Sequence, residues 1–81
     1  MLYLHYLHYV SQRLAEEAMQ QITGLSSIKG LQVLDMPSSW TLKITTEGTL
    51  YPQAQRILTA YLRPMTPIWN KPQLPPIAMT A

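Results

Sequence analysis

Strict alternation of apolar and polar residues over residues 40–47 is the feature that most limits what this chain can fold into. Trp40, Leu42 and Ile44 alternate with threonine and lysine, so a strand here has one apolar side and one polar side. Such a strand belongs to a sheet that is covered on one face and open on the other. Residues 31–36 are predicted to pair with it as the other strand of an antiparallel hairpin.

Two segments have helical periodicity. Leu14, Ala18 and Ile22 recur at i, i+4 within residues 11–23, where Ser11 is placed to cap the helix. Residues 52–63 repeat the pattern and begin at a proline, which favours the first helical position. The apolar sides of the strands and helices predict a core made of Trp40, Leu42, Ile44, Leu14, Ile22, Ile57, Leu58 and Tyr61.

Residues 2–10 are rich in tyrosine and end in valine, which favours a strand. One face of that strand would carry Leu2, Leu4, Tyr6, His8 and Val10, and the other Tyr3, His5, Leu7 and Tyr9. The alternative is one long helix from the N-terminus to about Thr23, with leucines near heptad spacing.

The predicted order is strand, helix, strand, strand, helix, strand, with a short last strand over residues 65–70. Pro67 confines that strand to a sheet edge. This order predicts an α+β fold, the ferredoxin-like split βαβ plait, with a four-stranded antiparallel sheet and both helices on one face. We expect a domain over residues 1–71 and an extended Pro-rich C-terminal tail over residues 72–81, since five of the seven prolines lie at or beyond position 64.

Composition favours an interaction protein. Charged residues make up 12% of the chain, against roughly 25% in ordinary domains, and interface cores are where charge is depleted and aromatic residues and methionine are enriched. Cysteine is absent, which excludes disulfides and thiolate nucleophiles. The sequence contains no apolar run long enough for a membrane span and no signal-peptide pattern, so we expect a cytoplasmic location, in host cytoplasm or in a virion.

The sequence offers little for catalysis. His5 and His8 are the only histidines, and in a strand they point to opposite faces. Glu16 and Glu17 are neighbours on a helix and have no third acidic or imidazole partner. No nucleophile elbow or phosphate-binding glycine motif is present. We therefore expect a protein that is not an enzyme and has no cofactor, no metal and no small-molecule substrate.

Partner binding is predicted on the open sheet face and along the tail. The candidate residues are Tyr3, His5, Tyr9, Lys43, Trp69, Leu74, Ile77 and Met79. Proline-rich extended segments lose little entropy on docking, so removing residues 72–81 is expected to leave the domain folded while weakening partner binding by at least about tenfold.

The segment from Ile28 to Pro72 contains Gly30-Leu-Gln-Val, Trp40-Thr-Leu-Lys-Ile, Pro52-Gln-Ala-Gln-Arg-Ile and Arg63-Pro-Met-Thr-Pro-Ile. It is similar to modules of baseplate J-like wedge proteins of contractile phage tails. The resemblance implies a structural role among protein partners and carries over no catalytic residue. We therefore expect a small structural or adaptor component of a tail or baseplate assembly, bound there to a protein partner or to further copies of itself as a homo-oligomer.

Two other functions remain open from the sequence. One is a phage-encoded inhibitor of a host defence protein, of the anti-CRISPR type. The other is an RNA-binding plait, in which Tyr3, His5 and Tyr9 would stack on bases. The third strand argues against RNA binding, because its outward residues, Thr41, Lys43, Thr45 and Glu47, include no aromatic residue. The scattered basic residues make nucleic acid a poor partner in general.

Overall fold

Six elements follow one another along the chain in the computed structural model, which describes residues 1–25 and 27–73. They are β1 (Leu2–Tyr9), α1 (Gln12–Ile22), β2 (Ile28–Met36), β3 (Ser39–Glu47), α2 (Pro52–Leu62) and β4 (Met65–Pro72). The predicted order of elements is confirmed. The predicted N-terminal strand is also confirmed, and the alternative of one long helix is wrong, because β1 ends at Tyr9. A separate helix follows, and the Ser11 hydroxyl caps it by accepting a hydrogen bond from the Leu14 N–H at 3.3 Å.

The four strands form one antiparallel sheet in the order β2-β3-β1-β4. The fold is therefore α+β, and its element order is consistent with a split βαβ plait. β4 lies at a sheet edge, as Pro67 requires, and Pro67 falls where the pairing of β4 with β1 shifts register. Proline has no N–H to donate to a ladder, so a register shift at an edge is a position where it is tolerated.

Both helices contribute to one core cluster on a single side of the sheet. α1 packs closely because its buried residues include the small side chains of Ala15 and Ala18. α2 contributes only Leu62 as a fully buried residue. The complete cluster is Leu7, Tyr9, Ala15, Ala18, Ile22, Leu42, Ile44 and Leu62.

The predicted core is partly right. Leu42, Ile44 and Ile22 are buried, and Leu14, Trp40 and Leu58 are half-buried against the cluster. Ile57 and Tyr61 are wrongly predicted, since 62% and 59% of their surfaces are exposed. α2 meets the core through Leu58 and Leu62, which are one turn apart, and this contact leaves Ile57 and Tyr61 to the side.

β4 extends past the predicted domain boundary. Pro72 is its last residue, and the Gln73 N–H donates to the Leu2 carbonyl at 3.0 Å. Residues 72 and 73 therefore belong to the sheet, and the rest of the predicted tail lies outside the described residues. Of the helices in the described ranges, none is long and apolar enough to cross a membrane.

Candidate interaction surfaces

The pairing of β1 with β3 sorts side chains onto the two faces of the sheet. His5 lies opposite Ile44 and Leu7 lies opposite Leu42. Directly opposed residues in an antiparallel pair project to the same face. Because Leu42 and Ile44 are in the core, the odd-numbered residues of β1 face the helices and the even-numbered residues lie on the other face.

This register corrects the predicted position of three candidate binding residues. His5 and Tyr9 have exposures of 0% and 4% and lie in the protein interior. Tyr3 is on the same face and is half-buried opposite Thr46. Both sides of β1 carry leucine and aromatic residues, so alternation within β1 did not reveal which side faces the helices. Tyr3, His5 and Tyr9 therefore do not form the open surface expected of them.

His5 is held in one tautomer by a chain of hydrogen bonds. Its Nδ1 accepts from the Asn70 backbone N–H at 3.0 Å, so the ring proton is on Nε2. Nε2 donates to Thr46 Oγ1 at 2.8 Å, and the Thr46 hydroxyl donates to the Gly48 carbonyl at 2.9 Å. Burial lowers the pKa of His5 below its usual value of 6.5, which favours the neutral ring. These hydrogen bonds link β1 to β3 and β4 in the protein interior.

Asn70 extends the same chain to the loop before α2. Its side-chain Oδ1 accepts from the Leu50 N–H at 2.7 Å, and its Nδ2 donates to the Leu50 carbonyl at 2.9 Å. The backbone of Asn70 is left-handed, with φ of 56°, a conformation that asparagine tolerates better than most residues. Trp69, which was predicted to bind a partner, is half-buried beside His5, with ring centroids 5.7 Å apart, and packs against the core.

The even-numbered residues of β1 lie on what we call the open face, defined by Leu4, Tyr6, Lys43, Ile68 and Lys71. Tyr6 is at its centre, opposite Lys43 of β3 and Ile68 of β4. The Lys71 ammonium lies 5.9 Å from the centre of the Tyr6 ring. Both helices place their buried residues on the other side of the sheet, so the described part of the chain provides no helical layer here.

The open face combines apolar area with positive charge. Ile68 is 44% exposed, and Leu4, Tyr6 and Lys43 are half-buried by their neighbours in the sheet. Lys43 is where the sequence predicted it. Tyr6, Ile68 and Lys71 were missed, although the apolar side of β3 would have identified them once the registers of β1 with β3 and of β1 with β4 were known.

His8 is also on the side of the sheet away from the core, so the prediction that the two histidines point to opposite faces is confirmed. Its Nδ1 lies 2.8 Å from Thr41 Oγ1, and Thr41 is only 1% exposed. Among residues 1–25 and 27–73, no group of three histidine, cysteine or acidic side chains is close enough to hold a metal ion.

A second exposed apolar region lies on the helix layer. A cleft of about 740 Å³ separates α1 from the end of α2. Its α1 wall contains Leu14 and Gln21, its α2 wall contains Tyr61, and Tyr9 and Leu62 also line it. Among the described residues that line the cleft, Glu17 and Arg63 are charged.

The remaining candidates from the sequence, Leu74, Ile77 and Met79, lie outside the described residues. No family model matches the chain, and no curated protein or solved structure is significantly similar to it.

Proposed function

We propose that this protein is a non-enzymatic ferredoxin-like domain that binds another protein through its open face. The observation that carries the proposal is the position of Tyr6, an aromatic residue at the centre of a sheet face on which residues 1–25 and 27–73 place no helix, flanked by Ile68 and two lysines. Aromatic residues in the middle of a surface patch are the usual energetic anchors of protein interfaces.

The chemistry of the open face also supports a particular kind of partner surface. Leu4, Tyr6 and Ile68 provide apolar area, whose burial contributes about 25 cal/mol per Å². Lys43 and Lys71 add positive charge on either side of Tyr6. A partner that presents an apolar residue to Tyr6 and carboxylates to the two lysines would match this surface in both shape and charge.

Nucleic acid fits this face less well. The aromatic residues that would have served as an RNA-stacking platform, His5 and Tyr9, are buried. Two lysines provide few phosphate contacts, whereas tight binding to nucleic acid usually requires several. The aliphatic surroundings of Tyr6 favour a protein surface.

We further propose that the partner belongs to a phage tail or baseplate assembly, in host cytoplasm or in the virion. The proposal is supported by the resemblance of residues 28–72 to baseplate J-like modules, and this segment forms a hairpin, a helix and an edge strand. An inhibitor of a host defence protein would use the same kind of surface, and the identity of the captured partner separates the two.

The experiment is affinity purification of the tagged full chain from the cells or virions that contain it, with two variants. Tyr6→Ala removes the central anchor, and Gln20→Ala makes the same truncation on an exposed part of α1. We expect one protein partner to be recovered in a fixed ratio with the wild type and with Gln20→Ala, and its affinity to fall at least about tenfold with Tyr6→Ala. Equal recovery with all three chains would contradict binding through the open face.

A further inference from the structure

The outer edge of β2 is a surface suited to the addition of another strand. β2 is the first strand in the order β2-β3-β1-β4, and among residues 1–25 and 27–73 it pairs with β3 alone. The backbone N–H and C=O groups on its other side therefore face outward, where an added strand can bind them. The strand is long, with nine residues from Ile28 to Met36, and none of them is proline.

The strand at the opposite edge, β4, is poorly suited to strand addition. Pro67 and Pro72 have no N–H, and Asn70 has a left-handed backbone with φ of 56°. Proline and irregular backbone are among the features that protect sheet edges from further pairing. β2 has one register shift, at Lys29, and pairs regularly with β3 over residues 30–36. A strand that joins this sheet would therefore pair with β2.

The sequence of β2 is complementary to itself in the antiparallel direction. Its two charged residues are Lys29 and Asp35, and Gln32 lies midway between them. Gln32 is also the midpoint of the whole strand. An antiparallel pairing of two β2 strands about Gln32 therefore overlaps the full strand and also brings each lysine to the aspartate of the other copy. Any other register shortens the overlap and separates both charge pairs.

The charged residues are available for such pairs. Lys29 and Asp35 are both exposed, and neither forms an ion pair with another described residue. The long lysine side chain can reach its partner across the register shift at Lys29. Opposite charges across neighbouring strands each contribute a few tenths of a kcal/mol or more, roughly 0.2–1 kcal/mol.

The residues between the two charges also match in this register. Leu31 lies opposite Val33 of the second copy, which is a pairing of two apolar side chains. Both are half-buried on the core side of the sheet, because they pair with Ile44 and Leu42 of β3. Gln32 lies opposite itself, and its amide can both donate and accept a hydrogen bond. A second copy of β2 would therefore extend the apolar contact and leave no side chain mismatched at the centre.

We propose that a second copy of this chain pairs its β2 with β2 in the antiparallel direction, about a two-fold axis that passes through Gln32 perpendicular to the sheet. In a two-fold interface each surface meets itself, and a lysine and an aspartate on either side of the axis satisfy that requirement. Two four-stranded sheets become one sheet of eight strands, with both open faces on the same side. The pairing does not depend on the function proposed for the open face.

Lys43 does not oppose this arrangement. It lies opposite Gln32 and therefore next to the axis. The two copies of Lys43 would be three strand spacings apart, roughly 14 Å. This separation exceeds the Debye length of about 8 Å at physiological ionic strength, so their repulsion is screened.

The length of the paired strands sets the strength of the dimer. Two strands that meet edge to edge bury less area than the roughly 800 Å² that each partner contributes to a standard interface. The dimer is therefore concentration-dependent, with a Kd on the order of 1 to 100 µM.

Sedimentation velocity of the full chain, from about 1 µM to about 500 µM, tests the charge pairs. We expect a monomer–dimer equilibrium in the wild type. Lys29→Glu and Asp35→Lys each turn two attractive pairs into two repulsive pairs, so each variant alone should weaken the dimer at least about tenfold. An equimolar mixture of the two variants should restore the dimer to within about threefold of the wild type, because both pairs in the mixed dimer are again of opposite charge.

An introduced cysteine tests the register, since the chain has no cysteine of its own. Gln32→Cys places the thiols of the two copies next to each other at the axis, and a mild oxidant should join them as a covalent dimer. Leu34→Cys is the matched control on the same strand. Its two copies would be four residues apart along the paired strands, roughly 13 Å, whereas a disulfide requires Cα atoms within about 7 Å of each other.

Arg56→Glu is the control for the charge reversals, because it reverses an exposed charge on α2 and should leave the dimer in place. Melting curves followed by circular dichroism establish that each variant is folded, which is expected because Lys29 and Asp35 are exposed. A monomer at every concentration would overturn the proposal. So would a dimer that withstands both charge reversals, or a Leu34→Cys chain that crosslinks as readily as Gln32→Cys.

Discussion

His5 is the residue whose environment is most fully determined. Both ring nitrogens have partners in the interior, Asn70 on one side and Thr46 on the other, and neither partner is ionisable. A second ring proton would lie on Nδ1 and point at the Asn70 N–H, so two donors would face each other. The positive charge would also be buried, because His5 has no exposed surface. The fold therefore selects the neutral ring, which agrees with the lowered pKa of His5.

This environment predicts a pH dependence of stability. Since the pKa of His5 is lower in the folded chain than its usual 6.5, the unfolded chain binds more protons between the two values. The contribution of His5 to the free energy of unfolding is therefore complete above pH 6.5 and decreases as the pH falls below it toward the lowered pKa. We expect urea unfolding to show this loss in the wild type.

His5→Leu should abolish the pH-dependent loss while lowering stability at pH 7.5 by about 1–3 kcal/mol, because Thr46 and Asn70 lose a buried partner. His8→Gln is the matched control and should retain the loss. Identical pH profiles for the wild type and His5→Leu would show that this ring is not the group responsible.

The sequence wrongly placed His5 and Tyr9 on the open face of the sheet. The alternation in residues 40–47 correctly indicated which side of β3 is apolar, and Leu42 and Ile44 are in the core. β1 has leucines on both sides, so the face that it buries depends on its pairing with β3, more than thirty residues away. Local sequence does not contain that long-range register.

At the scale of elements, the two helices differ in how firmly they are attached. α1 buries Ala15, Ala18 and Ile22 against the sheet, whereas α2 buries Leu62 and half-buries Leu58. Hydrogen bonds supplement this limited packing, since the Tyr9 hydroxyl donates to the Leu62 carbonyl at 3.1 Å and Gln55 Nε2 donates to the Leu50 carbonyl at 2.9 Å.

This difference predicts unequal costs for two similar truncations. Leu42→Ala removes a side chain with 0% exposure and should cost about 2–5 kcal/mol of unfolding free energy. Leu58→Ala removes a half-buried side chain and should cost about 1–2 kcal/mol. Urea unfolding at pH 7.5 measures both. A cost for Leu58→Ala equal to or above that for Leu42→Ala would contradict the described packing of α2.

The type and order of the elements were predictable because their periodicities are strong. The predicted helices at 11–23 and 52–63 correspond to Gln12–Ile22 and Pro52–Leu62. β2 begins at Ile28, three residues before its predicted start, because Ile28 and Gly30 pair with β3 on either side of a register shift at Lys29 that no local pattern indicates. The sequence also did not predict the exposure of Ile57 and Tyr61, because an apolar stripe on a helix does not indicate how much of that stripe packs against the sheet.

On the scale of the whole molecule, the two exposed apolar regions lie on opposite sides of the sheet and differ in charge. The open face has Lys43 and Lys71 around Tyr6, while the cleft between α1 and α2 is lined by Glu17 and Arg63, which have opposite charges. A small domain with only 12% charged residues has few means of discriminating among partners. The positive charge around Tyr6 supports the proposal that the open face binds a partner with carboxylates.

The most direct measurement for the central claim is site-specific photo-crosslinking of the full chain in the cells or virions that contain it. A photoreactive phenylalanine replaces Tyr6 in one chain and Gln20 in the other, and the adducts are identified by mass spectrometry. We expect a protein adduct at position 6 that is absent at position 20, since α1 lies on the covered side of the sheet. An adduct to nucleic acid at position 6, or the same protein adducts at both positions, would contradict it.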